Sequence, residues 1–439
     1  MSVTRAAAGR LGWLDALRGV AALVVVFDHS SYAFLAQTRQ ALTPYFSTSR
    51  YGIMVFFLVS GYIIPASLER GGCVRTFWIS RVFRIYPMWA VAVASVLALR
   101  LLGVAAVRTD VAGQRPLTVA LAHLTMLQEL LGTPGVLLVL WTLSYEMAFY
   151  LLVVALFTVR LHRRSTTAAV TLAGFAAVAA LAAASGRTEG GVAPSALAAA
   201  VGAGPLTVCV SVVLVIAVCG ASAGSPVPRV AGGLLGGALA LVLVACDGTV
   251  PLWEGLVILA VMFLGTAVYR ADHGQSSRRR TAATAAVVVS CAVGSAYGYG
   301  DGTSATRLGW IVAFLLAVLT FGAGWAARRR RVWRGLTGLG AISYSLYLVH
   351  PVLLAVTDGT IGRWRRDNLV LEVAFLAALL PLCVLTRRCV EAPGRTLGRS
   401  LSRSPSPEPA AQVGSSYGKA PPSGACRVRR RRRRRGVRR

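Results

Sequence analysis

Residues 14–36 read LDALRGVAALVVVFDHSSYAFLA. Taken as a helix, this stretch is long enough to cross the roughly 30 Å hydrocarbon layer of a bilayer. Yet it holds Asp15, Arg18, Asp28 and His29. An ionisable group in hydrocarbon costs a few kcal/mol, so each is a candidate functional residue. Further apolar runs follow near 52–68, 87–107, 136–158, 167–184, 204–222, 230–247, 251–269, 281–299, 308–327, 339–357 and 369–386. The 439 residues are 56% hydrophobic and only 14% charged, whereas soluble domains carry about a quarter. A soluble enzyme is excluded. The expected fold is all-α, a polytopic transmembrane helical bundle of about 10–12 spans.

With the N-terminus in the cytoplasm, 17 loop arginines fall inside and 9 outside, the loop at 358–368 being the worst exception. Both termini are therefore expected to be cytoplasmic. Three segments result: 1–13 as a cytoplasmic lead, 14–398 as the membrane-embedded part, and 399–439 as a Ser/Pro then Arg-rich tail expected to be disordered. The tail supplies much of the formal charge of +30. It reads as a solvated segment touching anionic lipid, with no specific nucleic-acid partner. All basic residues but Lys419 are arginine, and Asn368 is the only asparagine, as GC-rich bacterial coding would give. The eight cysteines show no C-x-x-C pair and read as small buried hydrophobes, and no metal is expected.

On a helical wheel Asp15, Arg18 and His29 fall within about 60° of one another, and Asp28 lies about 100° away. Asp15 and Arg18 are spaced to compensate each other. Arg18 and His29 are about three turns apart, ~16 Å along one stripe. Such a stripe suits a cation that holds an anionic donor near the cytoplasmic surface and a histidine general base deeper in. The plainer reading is an Arg that snorkels and a His that bonds a neighbouring helix. Arg81 and Arg84, one turn apart before Pro87, suit phosphate oxygens or are ordinary loop charge. Glu146 and Tyr150 share a helix face, so a hydrogen bond between them would ease burial of the carboxyl. Glu146 would orient His29, serve a substrate hydroxyl, or simply mark a helix entrance. Trp141, Ser343, Tyr344 and His350 are polar or aromatic candidates for substrate contact or for helix packing. Glu391 and Arg395 are expected to anchor the last span.

In order along the chain stand Leu14-Asp15-Ala-Leu-Arg18-Gly, with Arg18 and His29 separated by ten residues, then Gly52-Ile-Met-Val-Phe-Phe-Leu-Val-Ser60-Gly61-Tyr and Arg81-Val-Phe-Arg84-Ile-Tyr86-Pro87. Trp141-Thr-Leu-Ser-Tyr-Glu146 and Ser343-Tyr344-Ser-Leu-Tyr347-Leu-Val-His350-Pro351 complete the series. By these motifs, which cover roughly 12–397, the chain resembles the acyltransferase 3 family of integral-membrane O-acyltransferases. Its N-terminal part is similar to the macrolide O-acyltransferase branch of actinomycetes. The resemblance implies transfer of an acyl group, usually acetyl, from acyl-CoA to a hydroxyl of a carbohydrate or a glycosylated or macrolide natural product, in a bacterial cell membrane. It implies that Arg18 and His29 are central, supported by Asp15 or Glu146, and that Arg18, Arg81, Arg84 and Tyr86 face the CoA. The rival reading of a polytopic bundle with buried charge is a transporter or flippase, which would move its substrate chemically unchanged.

Overall fold

A computed structural model describes residues 2–105, 113–185, 195–299 and 304–402, with side chains from residue 12 onward except at 304 and 305. The Arg-rich tail beyond 402 and its expected disorder lie outside these residues. Twelve long helices carry the fold: α1 (Ser2–Phe34), α2 (Thr48–Gly71), α3 (Val74–Leu101), α4 (Trp141–Thr158), α5 (Ser165–Ala184), α6 (Ala203–Ala221), α7 (Pro226–Ala245), α8 (Leu252–Asp272), α9 (Arg278–Gly298), α10 (Ser304–Ala326), α11 (Arg334–Thr360) and α12 (Leu369–Thr386). Each apolar run of the sequence is one of them, and no strand occurs among the described residues. α2 to α12 are each long and apolar enough to cross a membrane. α1 has the length, at 33 residues, but carries Asp15, Arg18 and Asp28 inside the run.

Local chemistry sets several of the ends. The Ser47 side chain accepts from the Arg50 amide at the start of α2, and Gly72, at φ +64°, closes that helix by donating to the Leu68 carbonyl. α2, α4 and α8 form the enclosed centre, while α3, α5, α6 and α12 lie outermost. On the outer helices large apolar side chains such as Phe175, Val178, Leu181, Val212 and Ile216 point outward, as a lipid-facing surface requires. The free cysteines follow the same rule. Cys209, Cys219 and Cys389 are exposed and, among the described free cysteines, only Cys383 is buried, so the reading of the cysteines as small buried hydrophobes fails for these three, the outer surface of such helices being itself apolar.

Ion pairs knit the helix ends. At one face Arg50 meets Glu254 at 2.7 Å, and the Trp310 indole donates to the same carboxylate at 3.0 Å. At the other face Arg270 meets Glu69 at 2.5 Å and Arg328 meets Asp272 at 2.7 Å. Arg270, read from sequence as loop charge, is 2% exposed in the last turn of α8. The segment joining α11 to α12 straps the end of α1: Trp364 donates to the Ala33 carbonyl and Asn368 to the Phe34 carbonyl, both at 2.8 Å. Its Asp367 carboxylate accepts from the Thr38 hydroxyl and from the Gln37 and Thr38 amides, which holds it below the usual carboxylate range. Of the arginines in this loop, Arg363 pairs with Asp358 at 2.8 Å.

α1 and α11 run in the same direction and touch backbone to backbone. A Cβ on Gly340 would lie 1.8 Å from the Asp15 carbonyl oxygen, and one on Gly19 would lie 2.8 Å from the Gly340 nitrogen. Glycine is required at both positions for the two helices to approach this closely. Gly338, two residues away, faces open space. Gly340→Ala is therefore expected to lower stability by about 1–3 kcal/mol through overpacking. Gly338→Ala should be neutral or slightly stabilising, by up to about 1 kcal/mol from helix propensity. Thermal unfolding of the two variants in the same detergent checks the difference; equal midpoints would contradict the close approach.

Candidate active site

The α1–α11 contact fixes the height of every residue above it. Ten residues beyond Gly19 and ten beyond Gly340 stand His29 and His350, and their rings meet: Nδ1 of His29 lies 2.8 Å from Nε2 of His350, with ring centroids 5.1 Å apart. His29 is 16% exposed and His350 fully buried. Asp28, on a different face of α1, turns instead toward Arg39 at 3.2 Å and accepts from the Thr48 hydroxyl. It remains within 4.0 Å of His29 Nε2. Above this group a shallow pocket bordered by Tyr32, Arg39, Gln40 and Thr43 opens on the face opposite the α1 N-terminus.

Toward the α1 N-terminus lies a second feature, a cavity of about 80 Å³ between α1, α2, α3, α4 and α11. Arg18, Arg81, Arg84, Glu146, Ser343 and Tyr344 line it, with Ser60, Thr142, Tyr347 and the apolar Ile53, Phe56 and Phe57. Arg81 is buried, bonded to the Ser67 hydroxyl at 2.6 Å, and packed over the Phe77 and Tyr150 rings. The Tyr150 hydroxyl donates to Glu146, the contact that their spacing called for. Tyr344 donates to the Ile85 carbonyl at 2.8 Å, so α11 is tied to the segment that carries Arg84. Arg18 and Arg84 line the cavity without an ion-pair partner among the described residues, and the charges of Arg84, Arg395, Asp15 and Glu146 act on Arg18. Arg395 is itself paired with Glu391 at 2.5 Å, and Glu391 accepts from Ser345 at 3.0 Å. Cations outnumber carboxylates around a small apolar chamber, which is the chemistry of an anion site.

The structure thus brings Arg18, Arg81, Arg84, Glu146, Ser343 and Tyr344 to one wall and holds other sequence candidates elsewhere. Asp15 forms no ion pair with Arg18; its carbonyl is the surface against which Gly340 packs. Arg18 lines the cavity, and the expected compensation acts between the two charges without a direct ion pair. Tyr86 donates to the Leu124 carbonyl at 2.5 Å, and Trp141 stacks beneath Arg50, so neither lines the cavity. His29 and His350 also lie outside its lining, next to Tyr347, which lines it, meets Phe56 edge-on and has the His350 ring centroid 6.2 Å from its own. Tyr347 and Ser60 were missed as site residues. Tyr347 had a legible signal, one turn from both Tyr344 and His350 on the same polar face. It bonds Thr142 at 2.6 Å and the Val139 carbonyl at 2.9 Å, and its ring meets the edge of His350. No group of three or more His, Cys, Asp or Glu suited to a metal occurs among the described residues.

Among known protein families, the acyltransferase 3 family, described as an acyltransferase domain, matches residues 11–388. No curated protein and no solved structure matches the chain.

Tyr347→Phe strips two hydrogen bonds from a buried network and is expected to cost about 1–2 kcal/mol. Ser343→Ala removes a buried hydroxyl that has no partner and should stay within about 0.5 kcal/mol of wild type. Chemical or thermal unfolding of both variants checks the contrast, which equal losses would contradict.

Proposed function

The chain belongs to the acyltransferase 3 family and is an integral multi-pass membrane protein; on that premise we propose that it carries an acyl group, acetyl by preference, from acyl-CoA to a hydroxyl of a carbohydrate or of a glycosylated or macrolide natural product, in a bacterial cell membrane. The observation that carries this reading is the division of one helix stripe between an arginine cavity at Arg18 and a histidine pair at His29. The excess of loop arginines on the N-terminal side favours cytoplasmic termini, so the donor enters at the Arg18 end.

The cavity is far smaller than a whole CoA, so it takes part of the donor. Arg18 and Arg84 hold phosphate oxygens, with Arg81 fixed behind them, and an extended pantetheine arm covers the distance to His29. The acceptor reaches His29 through the pocket beside Arg39 on the opposite face. As the hydroxyl oxygen bonds to the thioester carbonyl carbon, His29 takes the hydroxyl proton. The C–S bond then breaks, and His29 returns that proton to the departing thiolate. General-base help of this kind is worth about 10²–10⁴ in rate. Alignment of two substrates brought from opposite faces supplies much of the remainder. Glu146, held by Tyr150, balances the arginine charge of the cavity. The family match favours group transfer over movement of an unchanged solute, the other reading of a helical bundle with buried charge.

His29→Ala should lower acyl transfer by about 10²–10⁴ with normal membrane insertion, and Arg18→Ala should raise the donor KM by about tenfold or more, the worth of a charged hydrogen bond. Transfer of labelled acetyl from acetyl-CoA, in membranes offered a macrolide, a glycolipid fraction and a polysaccharide, checks both. A well-inserted, fully active His29→Ala protein would overturn the assignment.

A further inference from the structure

We infer that His350 is a positioning residue that sets the tautomer of His29, making His29 Nδ1 the hydrogen-bond donor and leaving Nε2 as the free base. The inference rests on the reading of His29 as the base. Nδ1 of His350 lies 2.7 Å from the Leu346 carbonyl oxygen, and a carbonyl oxygen only accepts, so His350 Nδ1 carries a proton. A neutral imidazole protonated at Nδ1 has a lone pair at Nε2. That Nε2 faces His29 Nδ1 at 2.8 Å, so His29 Nδ1 must be the donor, and the remaining lone pair of His29 falls on Nε2. The reverse arrangement would put a proton on His29 Nε2 and leave no base.

The surroundings hold His350 to this role. It is fully buried, and the edge of its ring meets Tyr347, whose hydroxyl is committed to Val139 and Thr142. The charged groups acting on His29 are Asp28 and Arg39, which pair with each other. When His29 takes the hydroxyl proton its Nδ1–H bond to His350 becomes charge-assisted and shortens. The proton then leaves from Nε2 to the thiolate, and His350 ends unchanged. The orienting partner that a carboxylate provides in hydrolase triads is here a second imidazole, anchored to the backbone one turn below.

Two measurements test this on the full-length protein. In protein labelled with ¹⁵N-histidine, which holds five histidines, the His29 resonances, identified by their loss in His29→Ala, should report Nδ1 protonated and Nε2 unprotonated. In kinetics, His350→Phe should lower kcat by about 10²-fold or more with the donor KM changed less than about twofold. His350→Gln, whose amide oxygen can accept from His29 Nδ1, should recover at least about tenfold of that loss. A His29 spectrum of the Nε2–H form, an unchanged kcat in His350→Phe, or equal losses in the Phe and Gln variants would overturn the inference. A wild type with the expected spectrum and no acyl transfer would instead overturn the functional reading and leave the tautomer in place.

Discussion

The close passage of α1 over α11 is the constraint on which the rest of the site depends. With Gly19 and Gly340 in contact, the two parallel helices cannot slide without driving a side chain into a backbone. A one-residue slip is about 1.5 Å along the axis and 100° around it, enough to separate His29 from His350. The same contact decides which residues of α11 face α1 lower down, where Ser343 and Tyr344 meet the cavity that Arg18 enters. Hydrocarbon offers helices no hydrophobic gain on association, so packing of this kind and interhelical hydrogen bonds must hold the bundle. The strap from Trp364 and Asn368 to the end of α1 fixes the same pair from the far side.

Charge is distributed by function along the membrane normal. At the faces it is neutralised: Arg50 with Glu254, Arg270 with Glu69, Arg328 with Asp272. In the cavity it is not, since Arg18 and Arg84 stand without ion-pair partners among the described residues, beside a single lining carboxylate, Glu146. Leaving cations unpaired in an apolar chamber is unfavourable on its own, and binding of an anion relieves it. That imbalance separates the cavity from the structural ion pairs and gives the donor a reason to bind there. The histidine pair lies outside the cavity lining, next to Tyr347, so recognition of the donor and proton transfer occupy different parts of the bundle.

Much of the fold was legible because an apolar run of span length leaves few alternatives, and every run from 14–36 to 369–386 became a helix. Parts of the site were legible for the same geometric reason: the Glu146–Tyr150 bond follows from a spacing of one turn, and the wheel separated Asp28 from the His29 stripe. Contacts between distant helices were not legible. The lack of a direct Asp15–Arg18 ion pair, the meeting of His29 with His350, and the withdrawal of Tyr86 and Trp141 from the cavity all depend on partners in other elements, from 38 to more than 300 positions away. Burial of Arg270 was not legible because the arginines around it sit in loops, while Glu69, Gln275 and the His162 carbonyl hold this one inward.

The central claim is that a donor held by Arg18 and Arg84 reaches the histidine pair through the bundle. The most direct measurement is an experimental structure of the protein in lipid with a non-hydrolysable acetyl-CoA analogue. Phosphate density is expected against Arg18 and Arg84 at the cavity, and the acyl carbon beside His29. Density for the analogue at another surface, or a donor whose acyl end points away from His29, would contradict it.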